Sequence, residues 1–483
     1  MDTNEEVTLK RFPGLTYDEI IRQDTCGTPT HLLEKRVPDL PIIPVETRRY
    51  FCADFAAMER RYLWPRVWQM ACRSEEIPKS GDTLVYELDD LSFLIARQAD
   101  GSLRAFFNSC LHRGRKLMTS NGRRSEFRCP FHGLSWNADG TFKDNPIAWD
   151  FPQWEDGQGP SLPEAKVAQW GGFVFLNCDH NSPPLEKVIA PLADDFERYD
   201  YEDHFIEMHI EKVVGANWKT VAEAFMESHH ALTTHPQITS YLADVNSQYD
   251  APSDWVTRQF SAGMVSSPTL RTPLSETEIL QSMFATGTRV SEPDRNSMPT
   301  VPEGSTAWAT MAEISRGMLA NDTGYDYSDA SDAELVDSIL YNVFPHMSFW
   351  ATYGPKLTYR WRPMPSNPDQ SIMDIYRLKR VPKGQERPAP TKPHRVELDQ
   401  SMGEYATIAG MSPGLANIFD QDFSNLAQVQ AGLKASASGT INFTGYSELR
   451  LRLLHTMIDR MVEDGQSTGF ILQKACQTSQ VAC

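Results

Sequence analysis

The stretch from Asn108 to His132, NSCLHRGRKLMTSNGRRSEFRCPFH, constrains the fold more than any other. One residue separates Cys110 from His112, sixteen follow, and two separate Cys129 from His132. Gly114, Gly122, Pro130 and Gly133 punctuate the segment as loops, where unliganded core cysteines would have little reason to be. Two thiolates and two imidazoles suit a tetrahedral zinc site, or a [2Fe-2S] cluster with two cysteines on one iron and two histidines on the other. The order of ligands separates the two readings. Zinc fingers take both cysteines from a hairpin and both histidines from a helix. Here each loop offers one of each and can reach both irons.

A chain of 483 residues exceeds one ordinary core and predicts two or three domains. Its formal charge is −18, from 46 basic and 64 acidic residues, and no basic patch or tail stands out. That balance argues against nucleic acid or an anionic membrane as partner. The start, MDTNEEVTLKRF, lacks the features of a secretory signal, and no apolar run is long enough to span a bilayer. The remaining cysteines, Cys26, Cys52, Cys72, Cys178, Cys476 and Cys483, are scattered, unlike a secreted disulfide framework. A cytoplasmic, reducing setting is expected.

The ligand pattern, with Arg113 and Gly114 after the first histidine and Pro130, Phe131 and Gly133 around the second, resembles the Rieske domain of Rieske non-haem iron oxygenases. Its surroundings agree. From Thr47 apolar residues recur at helical spacing up to Pro65. DTLVYEL, LSFLIARQ and LRAFFNS then alternate as antiparallel strands with Asp-Asp and Asp-Gly turns. LSWNADGTF adds a hairpin, and QWGGFVFLNCD a buried closing strand whose Trp170, Gly172, Phe173 and Phe175 match a family pattern. The fold class expected is α+β: an N-terminal arm (1–45), a small antiparallel β Rieske domain (46–180), and a larger catalytic domain (181–483). The last should hold an antiparallel sheet flanked by helices, of helix-grip type.

The segment ANWKTVAEAFMESHHALTTHPQ is the centre of the second domain. Glu223, Glu227 and His230, four and three residues apart, share one face if the helix is continuous. The apolar Trp218, Ala222, Phe225 and Met226 bury that helix, so its carboxylates need a metal or a cation as partner. His230 and His235 lie about 140° apart on an ideal helix, so the helix must loosen before Pro236 for both to bind one ion. The resemblance implies that His230 and His235 hold a mononuclear iron. It also implies that Glu227, where ring dioxygenases usually carry Asp, bridges this iron to a neighbouring subunit's cluster, with His229 in a supporting position. Ala224 stands where Asn is common.

A carboxylate should complete the two-His-one-carboxylate face. In ANIFDQDFSNLAQVQAGL, Asp422 shares an inward stripe with Leu426, Val429 and Leu433. Asp422 is therefore chosen and Asp420 is second. Residues 253–337 read as an irregular insertion serving as lid, entrance or oligomer contact, its acid run Asp322–Glu334 as solvated loop. Phe344, His346 and Phe349 are candidates for the pocket wall, and the stretch from Ser447 is an amphipathic helix.

The resemblance implies a terminal oxygenase that takes O2 and two electrons, originally from NAD(P)H, through a reductase or ferredoxin. Its subunits would form a homotrimer or other ring, possibly with a small β subunit. The substrate is expected to be a small aromatic or other hydrophobic molecule, hydroxylated or cis-dihydroxylated. Oxidative N- or O-demethylation is the alternative. An electron carrier without a second iron and a zinc-bearing interaction protein are the competing classes.

Overall fold

The alternating runs pair as their periodicity dictates. Asp82–Leu88, Leu91–Arg97 and Leu103–Phe107 form an antiparallel meander, and Asp89 takes the left-handed conformation (φ 51°) at the first turn. With Gln69–Arg73, Glu164–Trp170, Phe173–Asn177 and a short strand at Gly122 they make a seven-stranded sheet. Successive side chains go to opposite faces. Phe93 and Ile95 enter a core shared with the second domain, while Leu94, Ala96 and Phe106 pack with Cys110, Phe127, Cys129 and Trp136. That second, smaller core is the floor beneath the ligand loops.

This computed structural model describes residues 14–154, 157–286, 298–354 and 356–472. The N-terminal peptide, Cys476 and Cys483 lie outside the described residues. The larger domain is an eight-stranded sheet flanked by helices, so the α+β, helix-grip-like expectation holds. Its longest ladder pairs His204–Val214 with Asn367–Arg380, and helices Trp218–Ala224, Pro413–Ala435 and Leu449–Ser467 contribute to the same core.

Three expectations change. The helix after Thr47 is broken into Ala53–Met58 and a wider turn, Glu59–Leu63. Glu59 is buried there, accepting from Lys219 Nζ at 2.8 Å and Trp218 Nε1 at 3.2 Å. Among its described residues the region 253–337 is not irregular throughout: it supplies strand Val256–Ser261 and helices Glu276–Thr286 and Ala307–Thr323. Its acid run is loop over 324–330, with Asp326, Ser328 and Asp329 exposed as expected, but its end is a helix cap. Ser331 caps Asp332–Val336 in a reciprocal box with Glu334, and buried Asp332 accepts from Thr25 and Arg316. Finally, the arm does not merely connect, because Tyr17, Ile20, Ile21 and Leu32 fill the second domain's other core.

The two domains meet over buried charge. Asp374 accepts from Arg360 Nε and Arg362 Nε, each at 2.8 Å, and lies 3.0 Å from His209 Nε2. Arg360 reaches on to the Met70 and Ala71 carbonyls of the first domain. His346 Nε2 accepts the Met70 N–H at 3.1 Å, so this residue is a domain fastener, not pocket wall. Burial and nearby Arg360 hold its imidazole down at about 3. Because the unfolded chain binds the proton more readily, stability should fall as pH drops below about 6.5, by at most about 1.4 kcal/mol per pH unit from this group. His346→Gln should give a shallower decline in urea midpoint than wild type between about pH 6.5 and 5. Equal slopes would refute the assignment.

Candidate metal centres

The two ligand loops are built alike. Cys110 N–H donates to Arg115 O at 2.9 Å, and Gly114 N–H returns to Cys110 O at 2.9 Å. Cys129 N–H donates to Leu134 O at 2.8 Å, and Gly133 N–H to Cys129 O at 3.0 Å. Gly114 (φ 74°) and Gly133 (φ 85°) close the loops in the left-handed region that favours glycine. Asn108 braces the first of them by accepting from Leu117 and Met118 N–H at 2.8 and 3.0 Å. Both cysteines are buried free thiols, and burial raises the Cys110 thiol. The His112 and His132 rings lie 4.7 Å apart at the partly exposed tip. His112 Nδ1 is enclosed and has no protein partner. Two thiols inside, two imidazoles outside and an orphaned ring nitrogen fit a [2Fe-2S] group, which these residues are able to hold.

The second site depends on a helix that stops early. Trp218–Ala224 ends in a turn at Phe225, so Glu223, Glu227 and His230 do not share one helical face. Glu223 instead faces Tyr50 Oη at 2.9 Å and His455 Nε2 at 2.8 Å. The loosening lets the histidines converge. A single turn, Ala231–Thr234, separates them, and His235 leaves it at φ −126° before Pro236. His235 Nε2 lies 2.8 Å and His230 Nε2 3.6 Å from Asp422 Oδ1, and the three donor atoms all lie within 4.8 Å of one another.

The outer nitrogens are already engaged: His230 Nδ1 to Glu227 Oε1 at 2.6 Å, and His235 Nδ1 to Gln421 Oε1 at 2.9 Å. Protons held at Nδ1 leave both Nε2 lone pairs facing the shared point, as a metal requires. Asp420 faces away and accepts from Met402 and Gly403 N–H at the start of another helix. Burial works to raise the Glu227 carboxyl, but hydrogen bonds from His229 and His230 outweigh it and hold it at about 2. Behind it, Ser228 N–H donates to Tyr249 Oη at 3.0 Å. Gln421 and Tyr249 were missed because only tertiary packing brings them there.

A second acid–histidine group, His209, Glu211 and Asp374, also clusters, but Arg360 and Arg362 already satisfy Asp374. Phe349 lies in the core against Trp170 and Phe196, and Phe344 packs on Trp255. The aromatic residues around Asp422 are Phe419 and Phe423 on its own helix, with Phe225 and Tyr359 packed on Phe419. Against the expectation of no basic patch, Arg113, Arg115, Lys116, Arg123, Arg124 and Arg128 are all exposed around the first site. All six lie within the stretch Asn108–His132, and the chain's net charge of −18 drew attention away from them.

Residues 193–464 match the model of the ring hydroxylating alpha subunit (catalytic domain), and residues 67–155 that of the Rieske [2Fe-2S] domain. The chain belongs to the ring-hydroxylating alpha-subunit family. It is a Rieske-type iron–sulfur oxidoreductase, with a [2Fe-2S] domain and a second metal site.

Among curated relatives, the glycine betaine monooxygenase oxygenase subunit of Pseudomonas aeruginosa is 29% identical over 190 residues, 39% of this chain and 43% of that one. The chlorobenzene dioxygenase alpha subunit of a Cupriavidus species is 30% identical over 202 residues, again 39% and 43%. The chain thus spans less than half the length of these relatives. In fold it resembles a quaternary ammonium Rieske monooxygenase solved with L-carnitine, at TM-score 0.59 and 16% identity over 89% of this chain and 99% of that one. Naphthalene 1,2-dioxygenase with indole bound gives 0.60 and 16% over 92% and 100%. No helix among the described residues is long and apolar enough to cross a membrane.

A Cβ at Gly133 would lie 3.0 Å from Pro146 Cγ, whereas one at Gly114 meets nothing nearer than 3.9 Å. Gly133→Ala should therefore cost more than the about 1–2 kcal/mol of left-handed strain alone. The protein should lose its cluster absorbance on mild heating sooner than Gly114→Ala does. The reverse order would contradict this loop geometry.

Proposed function

We propose that the protein is the terminal oxygenase of a demethylating monooxygenase, acting on an alkylated, cationic amine. The observation that carries the oxygenase reading is the convergence of His230 Nε2, His235 Nε2 and Asp422 Oδ1, with both histidine Nδ1 atoms held from outside. In this reading the three residues hold Fe(II), and Cys110, His112, Cys129 and His132 hold the cluster. Iron on such a face, when bound, supplies open positions for O2 and takes electrons singly from the cluster.

Monooxygenation is favoured over ring dihydroxylation by relatives named as monooxygenases of glycine betaine, carnitine and choline, and N-demethylation is the monooxygenation we assign to an N-methylated ammonium substrate. In the balanced reaction one oxygen atom enters a C–H bond of an N-methyl group, and the other leaves as water with two electrons and two protons. The carbinol then loses formaldehyde and its hydroxyl proton as the C–N bond breaks, the bonding pair staying on nitrogen to give the neutral amine. A reductase or ferredoxin supplies the electrons.

Glu227 orients His230 and stays ionised, and we assign it the bridge between the two centres, with the cluster contributed by a neighbouring subunit of a ring such as a trimer. The exposed cationic collar around the cluster loops, on a chain of net charge −18, supports docking onto an acidic surface.

With labelled O2 and betaine-type substrates, one labelled atom should appear in the carbinol or formaldehyde. Two atoms in an aromatic diol would establish dihydroxylation instead. Glu227→Gln should keep wild-type iron content while turnover falls by about 10- to 100-fold. Undiminished turnover would rule out the bridge.

A further inference from the structure

The two histidines of the triad differ in what holds them from outside. His230 Nδ1 lies 2.6 Å from the Glu227 carboxylate, while its Nε2 is 3.6 Å from Asp422 Oδ1. A charged acceptor close outside and a more distant one inside keep its proton on Nδ1. His235 is balanced differently. Its Nδ1 faces only a neutral amide oxygen, Gln421 Oε1 at 2.9 Å, and its Nε2 is 2.8 Å from the Asp422 carboxylate.

Gln421 is itself paired. Gln237 Nε2 donates to Gln421 Oε1 at 2.8 Å, and Gln421 Nε2 lies 3.5 Å from Gln237 Oε1. The turn Pro236–Ile238 carries Gln237, and helix Pro413–Ala435 sets Gln421 next to Asp422. An amide, unlike a carboxylate, presents a donor or an acceptor according to which way it is turned. With its oxygen toward the ring, the orientation the structure shows, Gln421 requires the proton on Nδ1 and leaves Nε2 free for a metal. Turned over together with Gln237, the pair keeps its mutual hydrogen bond, but Gln421 then donates to Nδ1. The ring proton must then sit on Nε2, where it bonds to Asp422 and takes the metal's place. In that exchange one proton leaves one ring nitrogen for water and one returns to the other, so no net charge moves.

We propose that Gln421 and Gln237 are positioning residues whose amide pair selects the protonated nitrogen of His235, and so sets how tightly the triad holds its metal. The inference rests on the reading that the triad binds Fe(II).

The test measures Fe(II) affinity at the triad by anaerobic competition with a chromogenic ferrous chelator, on full-length protein whose cluster absorbance reports an intact first site. Two substitutions each add one negative charge beside the triad but act oppositely on the ring. Gln421→Glu only accepts, so it should fix the proton on Nδ1 and tighten iron binding by about 10-fold. Gln237→Glu draws the Gln421 N–H2 group toward itself and turns that amide over, so it should weaken binding by about 10-fold. Shifts in the same direction, as charge alone would give, or no shift in either variant, would overturn this inference and leave the iron site standing. Uptake of no second iron by the wild type would overturn the functional reading and this inference with it. Should either variant fail to fold, neutron diffraction from wild-type crystals decides. The His235 proton is expected on Nε2 with the triad empty and on Nδ1 with it filled, and a proton on Nδ1 in both would overturn the proposal.

Discussion

A carboxylate that is 5% exposed and faces two imidazole nitrogens across 2.8 and 3.6 Å is the constraint on which the rest turns. Protonating an imidazole is one way to settle the charge. Here the outer nitrogen of each ring is already satisfied, by Glu227 and by Gln421, so the inner nitrogens are left as lone-pair donors. Three inward donors around one point suit a cation better than a proton. The stopped helix at Ala224, the single turn Ala231–Thr234 and the inward stripe of helix Pro413–Ala435 all serve that convergence.

The cluster loops meet a different need, which is rigidity at the tip of a small domain. Their paired backbone bonds and the left-handed glycines fix two thiols inside and two imidazoles outside. The sheet beneath is then locked to the larger domain through Arg360, Asp374 and His346. Breaking a buried pair of this kind typically costs about 3–5 kcal/mol, so this junction resists separation of the two domains.

Sequence order revealed what is local. The Cys-His spacing, the strand alternation and the inward position of Asp422 are local features, and the structure buries Asp422, Leu426 and Leu433, whereas Val429 of the expected stripe is exposed. It misled where a pattern was extrapolated through a break: Glu223 appeared to join Glu227 and His230 only because the helix was taken as continuous. Polar caps at Thr306 and Ser331 read as loop because capping residues and loop residues are the same types. His346 and Phe349 read as pocket wall because strand alternation tells which residues share a face, not what covers that face. Gln421, Tyr249 and the Arg360–Asp374 junction could not be read at all, since each depends on partners far away in the chain.

The central claim is that one polypeptide holds two separate metal centres, the second at the point shared by His230, His235 and Asp422. Diffraction from crystals of the loaded protein at the iron absorption edge measures this directly. Two distinct anomalous sites per chain should appear, one between the Cys110 and Cys129 loops and one among the Nε2 atoms and Asp422 Oδ1. An occupied cluster with no second iron at the triad would contradict the account.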